Sequence, residues 1–232
     1  VHRCPNRASK MTRPNHAPLM DSTLSMLADP YRYLSRAADE RGMDAFELRL
    51  LLKPTICLRG PEAAELFYDT SRFQRAGAMP APIRKTLLGE GGVQGLDGAG
   101  HRRRKQLFMG LMTPERVREL GDRFSEAWGA AVTAWLREPD EIVLYDAVQP
   151  LLTRAVCDWT GTPLSDEELP YRTRQLRALF DAAGALGPRH LWSRHARREV
   201  DRWLAEVIEQ IRLGDLRVES NAPARVVAEW RE

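Results

Sequence analysis

The sequence predicts a mainly α protein interrupted by one short β-hairpin. Apolar residues recur at helical spacing in long stretches, most plainly at Val117, Leu120, Phe124, Trp128, Val132 and Trp135. Helix-start chemistry precedes several of these stretches, as in Thr113-Pro114-Glu115. Residues 46–52 and 55–58 read as short strands, with Lys53-Pro54 punctuating them as a hairpin would.

The composition leaves room for one large domain or two small ones. The 232 residues are 43% hydrophobic and include six Trp, six Phe and five Tyr, enough for a sizeable core. The formal charge of +3, from 35 Lys plus Arg against 32 Asp plus Glu, is too even to indicate a nucleic-acid binder. Four of those 35 are Lys, which leaves 31 Arg, a bias that matches a GC-rich bacterial genome. Cys4, Cys57 and Cys157 are odd in number and show no metal-ligand spacing, so a reducing cytoplasm is the expected setting. No stretch approaches the roughly 18–20 apolar residues of a membrane span, and the N-terminal residues lack a signal-peptide core.

In chain order, residues 1–20 read as a disordered or extended tail, rich in Pro, Arg, Asn and His. A helix is expected from Asp29-Pro30 to Arg41, closed by Gly42. The hairpin follows, then a short helix from Pro61 to Tyr68 with Glu62 and Glu65 near its positive end. Residues 69–93 form a long connection containing Pro80 and Pro82, of the kind that is functional or mobile. The helix opened by Thr113 ends near Pro139, and its Trp128 and Trp135 read as core anchors. A short strand over 141–144 and a buried helix over 146–159 come next, with Cys157 as a small core residue. Ser165 caps a helix reaching Ala183, the 184–188 turn breaks it, and a long amphipathic helix runs over 189–213. The chain ends at the start of another element, with no internal repeat or composition break along the way.

The chemistry concentrates in residues 91–112. This stretch opens as a glycine-rich loop and turns into a helix carrying His101 and Lys105, one turn apart on one face, with Phe108 and Met112 continuing the stripe. A large flat ligand with acidic groups at one edge suits such a face. The alternative is an ordinary solvated helix surface, with His-Arg-Arg-Arg-Lys as its charged side.

Three strings, in order and at matching separations, resemble the N-terminal half of a bacterial cytochrome P-450 of the fatty-acid peroxygenase branch. They are Phe67-Tyr68-Asp69-Thr70-Ser71-Arg72-Phe73-Gln74-Arg75, then Gln94-Gly95-Leu96-Asp97-Gly98 leading to His101, and Gly187-Pro188-Arg189-His190. Asp21-Ser22-Thr23-Leu24 resembles the start of that family's folded region, so the similarity runs over residues 21–232. The resemblance implies one domain from 21 to 232, built as the first half of the P-450 fold around a haem and incomplete at its C-terminus. In the family a basic pair on the helix at 99–112 holds the haem propionates, and it maps to His101 and Lys105, with Arg75 a further candidate. Charge-assisted bonds to carboxylates are the strong kind, so this agrees with the residue-level reading. Gln94 resembles a distal-side position where relatives carry Gln or His, associated with hydroxylation and decarboxylation respectively. Leu88 and Leu186 match positions lining the acyl-chain channel, the alternative for each being a plain core leucine.

The resemblance also implies residues absent from the expected context. A thiolate cysteine in a Gly-rich loop, a structural Glu-x-x-Arg pair and an Arg-Pro on a central helix are expected beyond residue 232. Glu115/Arg118, Glu199/Arg202 and Glu209/Arg212 fit the Glu-x-x-Arg pattern but read as surface pairs, and His2-Arg3-Cys4-Pro5 reads as tail. The implied activity is peroxide-driven hydroxylation of a fatty acid near its carboxylate, with no redox partner protein, and the 232-residue portion alone inactive. The rival readings are a haem-free helical binding module and a degenerate fragment. Against nucleic acid, the aromatics sit at core spacing and are not interleaved with the Arg run.

Overall fold

The computed structural model describes residues 20–137, 141–182, 185 and 187–230. The contacts group into two compact units, Val1–Gln74 and Arg75–Glu232.

In the first unit, helix α1 (Thr23–Ala28) and helix α2 (Tyr33–Arg41) precede strands β1 (Ala45–Leu50) and β2 (Lys53–Leu58), and helix α3 (Pro61–Phe67) closes it. The strands pair antiparallel from Ala45 opposite Leu58 to Leu50 opposite Lys53. The hairpin is therefore as expected, but its turn is Leu51-Leu52 and not Lys53-Pro54. Both leucines are left-handed, at φ 51° and 62°, a conformation that favours glycine or asparagine. The reason lies upstream, where Asp21 accepts from Leu52 N at 2.6 Å and Thr23 Oγ1 from Leu51 N at 2.6 Å. Ala37, Ala38, Phe46 and Leu48 form the core of this unit. Helix α1 was not expected, and α2 begins at Tyr33, a turn later than the Asp29-Pro30 start.

In the second unit the long connection is not structureless. Helix α4 (Ala81–Ile83) continues into a π-helical turn, Arg84–Leu88, and a 3-10 turn spans Val93–Gly95. Helix α5 (Gly98–Leu111), α6 (Pro114–Trp135), α7 (Leu144–Thr160), α8 (Leu169–Asp181), α9 (Pro188–Leu213) and α10 (Pro223–Glu229) follow. The strand expected over 141–144 is absent: α7 begins at Leu144, and 141–143 lie outside regular structure. Ser165 accepts from Glu168 N at 3.2 Å, yet the helix proper starts only at Leu169. Thr113 caps α6 as read, accepting from Arg116 N.

Helices α6 and α7 are latched reciprocally. Trp159 Nε1 donates to Arg116 O at 3.0 Å, Arg116 Nη2 donates to Trp159 O at 3.3 Å, and the guanidinium lies 5.2 Å from the Trp159 ring centre. Cys157 is buried in α7 as expected. Trp128 and Trp135 are only half-buried and stack edge-on at 5.5 Å along α6, which holds no fully buried residue. A second core joins Val207 and Ile211 of α9 to Ala224 and Ala228 of α10. Among the described residues no helix is long and apolar enough to cross a membrane.

Candidate functional site

The site is assembled around the start of α5. Asp97 stands at the N-cap position, yet its side chain makes no capping bond. Both carboxylate oxygens reach back instead, accepting from Arg75 N at 2.9 and 3.0 Å, while Oδ2 also accepts from Ala76 N at 2.8 Å. Those backbone bonds, Ala76 first and Arg75 second, hold the carboxyl below the usual carboxylate range, with smaller help from the Arg75 and His101 charges. Arg75 is thereby tied to the helix that carries His101 and Lys105, its guanidinium 4.0 Å from Asp97.

His101 is half-buried and Lys105 exposed, and neither forms a salt bridge among the described residues. Their one-turn spacing on α5 is as read. Arg104 is not a plain solvated charge of the His-Arg-Arg-Arg-Lys run: its side chain is half-buried, and Nη1 donates to Gly91 O, anchoring the glycine loop to α5.

Gln94 lies on the 3-10 turn and Leu88 at the end of the π-turn, and Gly92 brings them together. A Cβ on Gly92 would stand 2.8 Å from Gln94 Oε1 and 3.0 Å from Leu88 O, so a side chain here would make the Gln94 amide shift from its place over this backbone. Arg75 and the glycine loop also line a cavity of about 140 Å³ with Arg84 and Glu90. Leu186 lies outside the described residues.

Three contributors escaped the sequence reading. Asp97 was visible within its string but not its back-reaching carboxylate. Gly89 and Arg197 form a clasp: Arg197 Nη1 donates to Leu87 O at 3.2 Å, and its guanidinium sits against Gly89. A separation of 110 residues leaves no local signal for it.

No family model matches the chain. Solved structures do. Cytochrome P450SP alpha (CYP152B1), seen with (R)-ibuprophen, shares 58% identity at a TM-score of 0.88, over 92% of this chain and 52% of its own. Cytochrome P450EX alpha (CYP152N1) with myristic acid shares 38% at 0.87, over 93% and 52%, and ligand-free cytochrome P450 OleT shares 30% at 0.86, over 90% and 51%. The chain belongs to the cytochrome P450 family. It spans about half the length of these relatives. The P450 fold and haem dependence that the three strings implied are those of its neighbours.

The residues present fit the edge of a P450 haem. His101, Lys105 and Arg75 are N–H donors grouped at the start of one helix, and Asp97, the carboxylate beside them, is already committed to backbone N–H groups. No described cysteine suits the iron. Cys157 is buried, and desolvation pushes its thiol up to about 11, while burial also raises that of the half-buried Cys57.

Proposed function

We propose that the chain is part of a haem-dependent fatty-acid peroxygenase. In this reading residues 21–232 belong to one P450 domain, and His101 and Lys105 hold the two haem propionates, with Arg75 supporting them. The carrying observation is the His101–Lys105 donor pair one turn apart on α5, with the Asp97 carboxylate committed to Arg75 N and Ala76 N. Gln94 faces the distal side and Leu88 and Leu186 flank the acyl chain. The haem, when bound, supplies oxygen transfer from hydrogen peroxide. The protein's share is orientation: the clasp at Gly89 and the tie from Arg104 to Gly91 fix the loop that presents Gln94. Gln is neutral across the working pH range and has no proton to give as an acid, so hydroxylation near the carboxylate is the expected outcome. No redox partner protein is required, and the setting is the cytoplasm.

Two partly exposed charge contacts contribute about 1 kcal/mol each, far short of the roughly 8 kcal/mol of micromolar binding. The 232-residue chain alone is therefore inactive with peroxide and fatty acid. Its reduced, carbon-monoxide-treated form lacks the red-shifted Soret band of a thiolate-bound haem, and a band that vanished on Cys4→Ala would overturn this. The test of the site is a chimera, residues 21–232 joined to the matching second half of P450SP alpha. Replacing His101 and Lys105 with Leu lowers haem retention at least tenfold, while Arg102→Gln does not. Unchanged retention refutes the assignment, and terminal alkenes as main product refute the role of Gln94.

A further inference from the structure

The β1–β2 hairpin leaves one edge unpaired, and its register fixes which groups face outward. Arg59 N donates to Asp44 O at 2.8 Å just beyond the strands, so by alternation Phe46–Cys57 and Leu48–Thr55 exchange the ladder bonds. Glu47–Ile56 and Ala45–Leu58 then point their N–H and C=O groups away from each other. On the β1 side, Ser22 N donates to Arg49 O at 2.7 Å and covers part of the edge. On the β2 side the outward groups of Ile56 and Leu58 meet no strand, the sheet being two-stranded. Ile56 is 67% exposed. An apolar edge of this kind is a template for another strand.

The two ends of β2 carry opposite charges. Lys53 opens the strand. Glu62, in the first turn of α3, stands just past its end, with Oε2 3.7 Å from where a Cβ on Gly60 would lie. Both residues are exposed, and neither forms a salt bridge among the described residues. An antiparallel strand of the same sequence therefore meets acid with cation at both ends. Centring the register on Cys57 sets Ile56 opposite Leu58 of the second copy, a pair that exchanges N–H to C=O bonds in both directions. The symmetry repeats that pair on the other side of the axis. Centring it on Ile56 instead would set Pro54, which has no N–H, opposite Leu58 and leave the Leu58 carbonyls without a donor.

We propose that two copies of the chain pair through β2, antiparallel about a two-fold axis at Cys57, joining their hairpins into one continuous sheet. The self-complementary charge of the strand ends selects a second copy over a foreign strand. The inference does not depend on haem binding, so its failure leaves the peroxygenase reading untouched.

A contact between strand edges falls below the roughly 1,000 Å² of a durable interface, so a weak dimer is expected, read by sedimentation equilibrium over about 5–500 μM. The mass rises with concentration from 26.4 kDa towards twice that value. Hydrogen exchange at the Ile56 and Leu58 amides slows in step. Lys53→Glu and Glu62→Lys each weaken the dimer roughly tenfold, because each turns the attractions across the axis into repulsions. Mixing the two variants in equal amounts restores it, since each then meets the opposite charge on its partner. Ile56 is exposed in the single chain, so Ile56→Lys weakens the dimer and leaves the unfolding transition of the monomer unchanged. Leu213→Lys, at the exposed end of α9, leaves the dimer unchanged. A monomer at every concentration overturns the proposal. So does a dimer indifferent to both charge reversals, a mixture no tighter than the single variants, or growth into larger assemblies.

Discussion

Replacing Gly89 by alanine tests the clasp that holds the loop leading to Gln94. Gly89 adopts φ 77°, and a Cβ there would come within 2.4 Å of Arg197 Nη2 and 2.8 Å of its Cζ. Two costs follow. The backbone conformation is strained for any L side chain, by roughly 1–3 kcal/mol. The guanidinium must also move, losing its bond to Leu87 O, which contributes about 1 kcal/mol. Because the clash is with the tip of a flexible side chain, the steric part is relieved by that movement and adds little more. The sum is roughly 2–4 kcal/mol, equivalent to a fall in Tm of roughly 4–16 °C for a chain of this size. Thermal and urea unfolding measure it, and a double-mutant cycle with Arg197→Ala separates the parts. In the Arg197→Ala background Gly89→Ala keeps its backbone cost but loses the roughly 1 kcal/mol attached to Arg197. A Gly89→Ala chain within about 0.5 kcal/mol of the parent would refute the clasp, as would full additivity in the cycle.

The Leu51-Leu52 turn yields the opposite sign: Leu51→Asn with Leu52→Gly relieves two left-handed leucines and raises stability by roughly 1–3 kcal/mol, read as a higher Tm. Asp21→Ala, which removes the acceptor for Leu52 N, lowers the Tm of the parent more than it lowers that of the Asn-Gly variant. Asp97 makes stability pH-dependent. Its folded carboxyl is held below the ordinary value, so the contribution is present above the unfolded value, near pH 4, and is lost as pH falls through the folded one. Acid titration of unfolding shows that loss, and Asp97→Asn removes it together with the tie to Arg75. Cys157, with its thiol near 11, resists alkylation at pH 8 in the native chain and reacts on denaturation, as mass spectrometry of the labelled peptide reports.

The parts of this fold that were legible are those whose chemistry is local. Thr113-Pro114 announces α6 because the cap acts on Arg116, three residues away. Gly187-Pro188 announces α9 for the same reason, glycine supplying φ 68° at the N-cap and proline the first turn. His101 and Lys105 were legible because helical spacing alone places them on one face. The Leu51-Leu52 turn was not, since neither residue favours a left-handed turn and the brace lies 28 and 31 residues upstream. Asp97 shows the same limit from the other side. The residue occupies the N-cap of α5, but its oxygens go to Arg75 N and Ala76 N instead of the helix. Local propensity fixed where the residue sits, and tertiary contacts fixed what its side chain does.

That division bears on the site itself. The residues proposed to meet a ligand, His101, Lys105 and Gln94, stand in short readable strings. The residues that aim them, Asp97, Arg104, Gly92 and the Gly89–Arg197 clasp, act by reaching across loops. A change at Arg197 therefore disturbs Gln94 through Leu87 and Gly89 without touching the α5 face. The two sides of the proposed site are held by separate ties, Asp97 for the Arg75 side and Arg197 for the loop leading to Gln94. Variants in one tie should leave the other intact, so haem retention and the regiochemistry of oxidation are separable by mutation.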